Sequence, residues 1–334
     1  MNKITLFLPL FFSTCSFAQY YQATVPTKFD AFINSPSVEW ASYRFDTLRC
    51  SNINLAEILR HRFEKNEIKA SLPISHSTPE ANHLKYSTRK AINNRILQPF
   101  VSMQIDSSGN TSQNAIEAKI KDLIDNHTYN IIEPTQILYI EKGKLQSYIP
   151  WVAPKISVIT SSGVYLGFAD YFNTSFNYKY NFKPSPKDII LFLCQTNRMI
   201  KTDSVNKADR LKELYGRNLV ETLWPYIISG KLDIYSIQPF KKRSPAELNN
   251  YMFTNDKIPT PVYDSANSTV LSGDYITPLS PLIFIQVEVA QNWYYDQTAN
   301  IVYNNIPYII LYCKRLEPGY PEKLTKPVLK IVFK

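Results

Sequence analysis

Glycine is scarce in this chain, at 8 residues in 334. Loops that cradle phosphate need backbone N–H groups unobstructed by side chains, and neither G-x-x-x-x-G-K-[ST] nor G-x-G-x-x-G occurs. A nucleotide enzyme is therefore not expected. The G-x-S-x-G elbow of serine hydrolases is missing too. Cysteine is sparser still, with 4 residues and no two close together, which excludes a cysteine-based zinc site. Of the four histidines (His61, His76, His83, His127), His76 and His83 could in principle gather a metal with Glu80. Pro79 makes that stretch a loop without a shared helix face, so a solvated loop is the preferred reading. Asp122 and Asp125 stand at helix-surface spacing and need no function. No acid–base or nucleophile constellation emerges, so no enzyme, cofactor or metal is expected.

The formal net charge is +9, yet the only tight basic run is Lys241-Lys242-Arg243. Nucleic-acid binders cluster their charge on one face beside a known module. A scattered, solvated basic surface fits better, and no nucleic-acid partner is expected. Acidic partners or lipid headgroups are the lesser alternative.

The opening residues read as an export signal: Lys3, an apolar run from Ile4 to Phe12, then Ser16-Phe17-Ala18 before Gln19. The run is too short to span a bilayer, which takes about 20 apolar residues. Cleavage near Ala18 would deliver the chain to the periplasm with no transmembrane segment. It would also leave Cys50, Cys194 and Cys313, an odd set that allows one internal disulfide at most. The fold must then rest on its core, and 44% hydrophobic with 13% aromatic residues is enough to build one.

Two helix signals repeat. Asn54-Leu55-Ala56-Glu57-Ile58-Leu59 is echoed by Asn218-Leu219-Val220-Glu221-Thr222-Leu223, each an Asn cap with Glu three positions on. The exits, Asn66-Glu67-Ile68 and Gly230-Lys231-Leu232, supply a left-handed closing residue. Pro225 should kink or shorten the second helix. Ser185-Pro186-Lys187-Asp188 predicts another helix through about Ile200, and Lys207 to Tyr215 a shorter one closed by Gly216. Ser244-Pro245-Ala246-Glu247 opens one more, and Ala115 to Asp125 has helical spacing. Pro73 to Ser87 reads as a loop, and Asp106 to Asn110 as a turn following a loosely alternating stretch from Ile96.

Strand material lies at Val38–Leu48, Thr135–Glu141, Lys155–Thr160, Leu282–Val289, Ile301–Tyr312 and Val328–Phe333. Pro307 should place its strand at an edge or on a bulge. The pattern is α+β: two related helix–strand units with mostly antiparallel small sheets, 19–183 and 184–334, after a signal peptide of 1–18. Two aromatic features stand out, a belt from Tyr165 to Phe182 and the block Trp293-Tyr294-Tyr295-Asp296 between two strands. Each could be core and hairpin anchor, or a surface that docks protein, peptide or sugar.

The exit Gly230-Lys231-Leu232-Asp233-Ile234-Tyr235 and the strand Val287-Glu288-Val289-Ala290-Gln291-Asn292-Trp293-Tyr294-Tyr295-Asp296 resemble the gliding-motility protein N family. Glu39-Trp40-Ala41-Ser42-Tyr43-Arg44 is similar to that family's early Trp-Ser segment. This chain resembles a divergent member, with Gln291-Asn292 where the family carries acidic residues. The resemblance implies a non-enzymatic structural subunit of the periplasmic type IX secretion and gliding-motility machinery. It also implies protein partners, among them an outer-membrane lipoprotein. Trp293, Tyr294, Tyr295 and Asp296 would then belong to a partner interface or to the core directly beneath it. The alternative is a periplasmic or surface binding protein with an aromatic carbohydrate- or peptide-docking surface.

Overall fold

A computed structural model of the chain describes residues 32, 34–50, 52–72, 87–94, 131–159, 165–175, 184–202, 210–248, 258–263, 269–275, 280–314 and 325–333. The side chains of 157–159, 165–167, 210, 258–263 and 269–275 are excepted. The expected signal peptide, the loop around His76, Glu80 and His83, the turn at 106–110 and the helix at 115–125 lie outside the described residues.

Strands dominate an α+β fold. In the first half run β1 (Val38–Phe45), β2 (Leu48–Arg49), β3 (Ala70–Ser71), β4 (Ile131–Glu141), β5 (Lys144–Ile159), β6 (Tyr165–Asp170) and β7 (Asn173–Ser175). The second half supplies β8 (Ile190–Lys201), β9 (Arg210–Glu213), β10 (Asp233–Ser236) and β11 (Lys241–Arg243). It continues with β12 (Ile258–Tyr263), β13 (Thr269–Tyr275), β14 (Phe284–Asp296), β15 (Ile301–Lys314) and β16 (Thr325–Val332). Among the described residues the longer helices are α1 (Leu55–Glu64) and α2 (Leu219–Ile228), with short helical turns at 89–94 and 245–248. Every described strand pairing is antiparallel.

The first sheet holds eight strands in the order β3-β7-β5-β4-β1-β9, with β2 on β4 and β6 on β5. The second holds six, ordered β11-β10-β16-β15-β14-β8, and β12 pairs with β13 alone. Both are larger than the small sheets expected. The run β1-β4-β5-β7-β3 and the run β8-β14-β15-β16-β10 follow the same chain logic. Each has its helix between the first strand and the strand at the far end.

Both helices form where their caps stand. Asn54 accepts from the backbone N–H of Glu57 at 3.1 Å, and Asn218 from that of Glu221 at 2.9 Å. The reciprocal lock is complete only in α2, where Glu221 accepts from the backbone of Asn218; Glu57 accepts instead from the side-chain amide of Asn54. At the exits Asn66 (φ 59°) and Gly230 (φ 72°) are left-handed. Glu67 N donates to Arg62 O and Lys231 N to Tyr226 O, closing both helices alike. Pro225 neither shortens nor breaks α2, which matches α1 at 10 residues. A helix locked at both ends tolerates the one missing donor.

Two expected helices are strands. Ser185 and Asp188 make their cap bonds, with Ser185 N donating to the Asp188 carboxylate and Lys187 N to the Ser185 hydroxyl. They end a turn rather than start a helix. Ile189 N then donates to Thr298 Oγ1, and the chain pairs with β14 from Ile190 to Lys201. Within Lys207–Tyr215, residues 210–213 are β9 on β1, followed by a 3-10 turn at Leu214–Gly216. A partner strand distant in sequence wins over local capping at both places.

Pro307 lies in β15, between β14 and β16, and so not at an edge. The register jumps from Ala290↔Tyr308 to Asn292↔Asn305, leaving Ile306 and Pro307 on a bulge where the ladder does not call on the missing N–H. The block Trp293–Asp296 falls inside β14 rather than between strands.

The boundary near 184 divides the sheets in sequence, with β9 crossing back to the first. The cores do not divide there. One cluster joins α1 residues Leu55, Leu59 and Phe63 to Trp293, Tyr295, Ile301 and Val302 beside the β14–β15 turn. Another joins α2 residues Leu219, Leu223 and Ile227 to Trp40, Leu138, Ile140 and Leu145 beside the β4–β5 turn. Arg62 of α1 donates to Gln297 O in one turn, at 3.1 Å. Tyr226 of α2 lies over Gly143 in the other, so close that a Cβ on Gly143 would meet its ring at 2.3 Å. Each helix rests on the hairpin tip of the other half.

Candidate protein-interaction face

Alternation along β14 sorts the aromatic block. Odd-numbered Val287, Val289, Trp293 and Tyr295 are 0% exposed and join the two cores. Even-numbered Glu288, Asn292 and Tyr294 are half-buried on the opposite face. Trp293 donates through Nε1 to Thr196 Oγ1 at 2.9 Å, and the Tyr295 hydroxyl to Asn300 Oδ1 at 2.7 Å. The Arg62 guanidinium sits 5.8 Å from the Tyr295 ring centroid. Asp296 is buried and accepts from the backbone N–H groups of Thr298 and Ala299, shaping the turn. Of the four block residues, only Tyr294 offers surface to another molecule; the other three build the support beneath it.

Tyr294 does not stand alone. Cross-strand register sets it opposite Tyr303 of β15 and Phe192 of β8. The Tyr294 and Tyr303 rings stack with centroids 5.3 Å apart, and Phe192 meets Tyr294 edge-on at 5.6 Å. Phe192 is 44% exposed. Burial, with Asp296 nearby, pushes the Tyr303 hydroxyl up to about 12. A second row crosses the same face in register: Met199, Glu288, Ile310, Lys330 and Tyr235. Tyr312 donates its hydroxyl to Glu288. Lys330 Nζ lies 3.7 Å from the Tyr308 ring centroid, and Phe240, 64% exposed, stacks on Tyr235 at 5.2 Å.

This face has adhesive chemistry on a rigid base: flat aromatic rings, aliphatic Met199 and Ile310, and a few anchored charges. Rings already packed on one another lose little rotamer freedom on binding. The neighbouring basic run is partly neutralised within the chain, Lys242 by Asp233 at 2.6 Å and Lys241 by Glu247 at 3.1 Å. Among the described residues no group of three His, Cys, Asp or Glu side chains could hold a metal ion.

The belt expected from Tyr165 to Phe182 divides. Tyr171 and Phe172 are core beside Phe63, Phe168 is 42% exposed, and 176–183 lie outside the described residues. Trp40, from the early Trp-Ser segment, is buried under α2. The sequence reading missed Phe192 and Tyr303. Phe192 lies in the stretch whose cap signals predict a helix and which is instead β8. Tyr303 could have been found from hairpin symmetry, since it and Tyr294 flank the 297–300 turn. No family model, curated protein or solved structure matches the chain. Among the described residues, no helix is long and apolar enough to cross a membrane.

Proposed function

We propose that this chain is an exported, non-enzymatic structural subunit of a periplasmic envelope complex of the type IX secretion and gliding-motility kind. It would be built of two related helix–strand units and dock protein partners through the outer face of its second sheet. The observation that carries this reading is the in-register row Phe192–Tyr294–Tyr303, on the sheet face opposite buried Trp293 and Tyr295, with Phe192 44% exposed. Motif resemblance around Gly230–Tyr235 and Val287–Asp296 supports the family. The common strand order and the matching helix caps support the relatedness of the units.

The test is affinity capture of the tagged chain from its native envelope, followed by light scattering. Wild type should elute in a large assembly containing an outer-membrane lipoprotein. A Phe192→Ser, Tyr294→Ser variant with unchanged thermal unfolding should elute alone. A variant that keeps all its partners would remove this face from the interface. A monomeric wild type whose tryptophan fluorescence responds to a soluble oligosaccharide or peptide would favour the ligand-binding alternative instead.

A further inference from the structure

Cys50 and Cys194, 144 positions apart, meet with their sulfurs 3.9 Å from one another. Cys50 directly follows β2 and is buried; Cys194 sits in β8 and is half-buried. The meeting is built rather than incidental. Four residues earlier, between β1 and β2, Asp46 forms an ion pair with Arg198, four residues later on β8, so the two segments lie against each other in opposite directions. On β8 the register moves from Trp293↔Cys194 to Tyr294↔Phe192, leaving Leu193 as the extra residue of a bulge. Cys194 shares the interior side with its cross-strand partner Trp293 and packs on the same cluster as Cys50. Cys313, near the end of β15, packs against the other cluster.

From this geometry we infer that Cys50 and Cys194 form a disulfide that ties the first half of the chain to the second. The separation in the dithiol form is within reach of side-chain rotation on a backbone already held by the Asp46–Arg198 pair. Hydrogen bonding from Cys50 lowers the Cys194 thiol below its usual value. The same bond together with burial holds Cys50 well above it. Cys194, the more exposed of the two, is therefore the first nucleophile. As a thiolate it attacks one sulfur of a small disulfide such as oxidised glutathione, forming a mixed disulfide and expelling one glutathione thiolate. Cys50 then gives up its proton and attacks Cys194 Sγ, forming the internal bond and expelling the second glutathione. Two protein thiols are oxidised and one glutathione disulfide is reduced to two thiols. In a cell, a thiol–disulfide oxidoreductase of an oxidising compartment would play the same part.

The cross-link depends on geometry; its presence in the cell depends also on the export proposed above. Two measurements keep these apart. The purified full chain is treated with oxidised glutathione, alkylated and mapped by mass spectrometry without reduction. The expected result is a Cys50–Cys194 linked peptide, with Cys15 and Cys313 alkylated. Alkylation at all four positions, or a link through Cys313, would overturn the inference without recourse to any variant. Oxidation should also raise the melting temperature by about 5 °C. Cys313→Ser should keep that redox dependence, and Cys50→Ser, Cys194→Ser should abolish it. The second measurement maps the chain alkylated directly in native cells. A link there supports both the bond and export; free thiols there, with a link formed in vitro, support the bond and count against export.

Discussion

The outer faces of the two sheets differ although both are rich in aromatic residues. On the first sheet Tyr139, Tyr148 and Trp151 are at most 5% exposed, because Phe32 lies on them edge-on to Tyr139 at 4.7 Å, and Val38, Ala41 and Ile137 complete the cluster. On the second, Phe192, Tyr294 and Tyr303 pack against one another, with Tyr294 and Tyr303 half-buried and Phe192 nearly half exposed. Similar residues thus serve as core on one sheet and as surface on the other. What separates them is the packing around each set, not composition. A hydrophobic residue's role depends on what the rest of the chain brings to it.

That contrast can be attacked from both sides. Trp293→Ala, beneath the open face, should destabilise the fold most, by about 4 kcal/mol, seen as a lower urea midpoint with unchanged slope. Phe32→Ala should uncover the closed face and cost about 3 kcal/mol. It should also make the first sheet bind a hydrophobic dye that wild type does not. If dye binding stays at wild-type level, Phe32 is not what closes that face. Gly143→Ala should cost about 2 kcal/mol, from its φ of 74° and the Tyr226 ring above it. Gly230→Ala, where the nearest side-chain atom is 3.2 Å away, should cost about half as much. Tyr294→Ser should shift stability least, within about 1 kcal/mol, while affecting partner capture.

Tyrosine ionisation offers a comparison by pH. Burial pushes Tyr148 on the closed face up to about 12. Tyr303 and Tyr312 on the open face reach the same value, Tyr312 through burial and its bond to Glu288. A hydroxyl raised in the folded state from 10 contributes stability below pH 10, and that contribution is lost as pH climbs towards 12. Urea midpoints should therefore fall between pH 10 and 12. Tyr312→Phe should flatten part of the fall. An unaltered slope would mean that Tyr312 is not held as its bond to Glu288 implies.

Local chemistry in the sequence was a good guide where the deciding partners were local. Asn54 and Glu57, Asn66, Asn218 and Glu221, and Gly230 act within a few residues of themselves, so both helices were legible at both ends. The bulge at Pro307 was legible because a missing N–H must be accommodated wherever it falls. β8 was not legible, because its turn carries helix-cap chemistry and its true partner, β14, begins more than eighty residues later. Of β5, only the part from Lys155 onward stands out in the sequence. The open aromatic face was legible only at Tyr294. Phe192 and Tyr303 join it through register, which single-strand patterns do not encode.

The reciprocal seating of each helix on the opposite hairpin tip carries a practical consequence. Severed near 184, neither fragment would retain a finished interior: the first would lose the floor under Leu59 and Phe63, the second the floor under Leu223 and Ile227. Each would behave like one protomer of an obligate dimer, and mixing the two should restore what neither achieves separately.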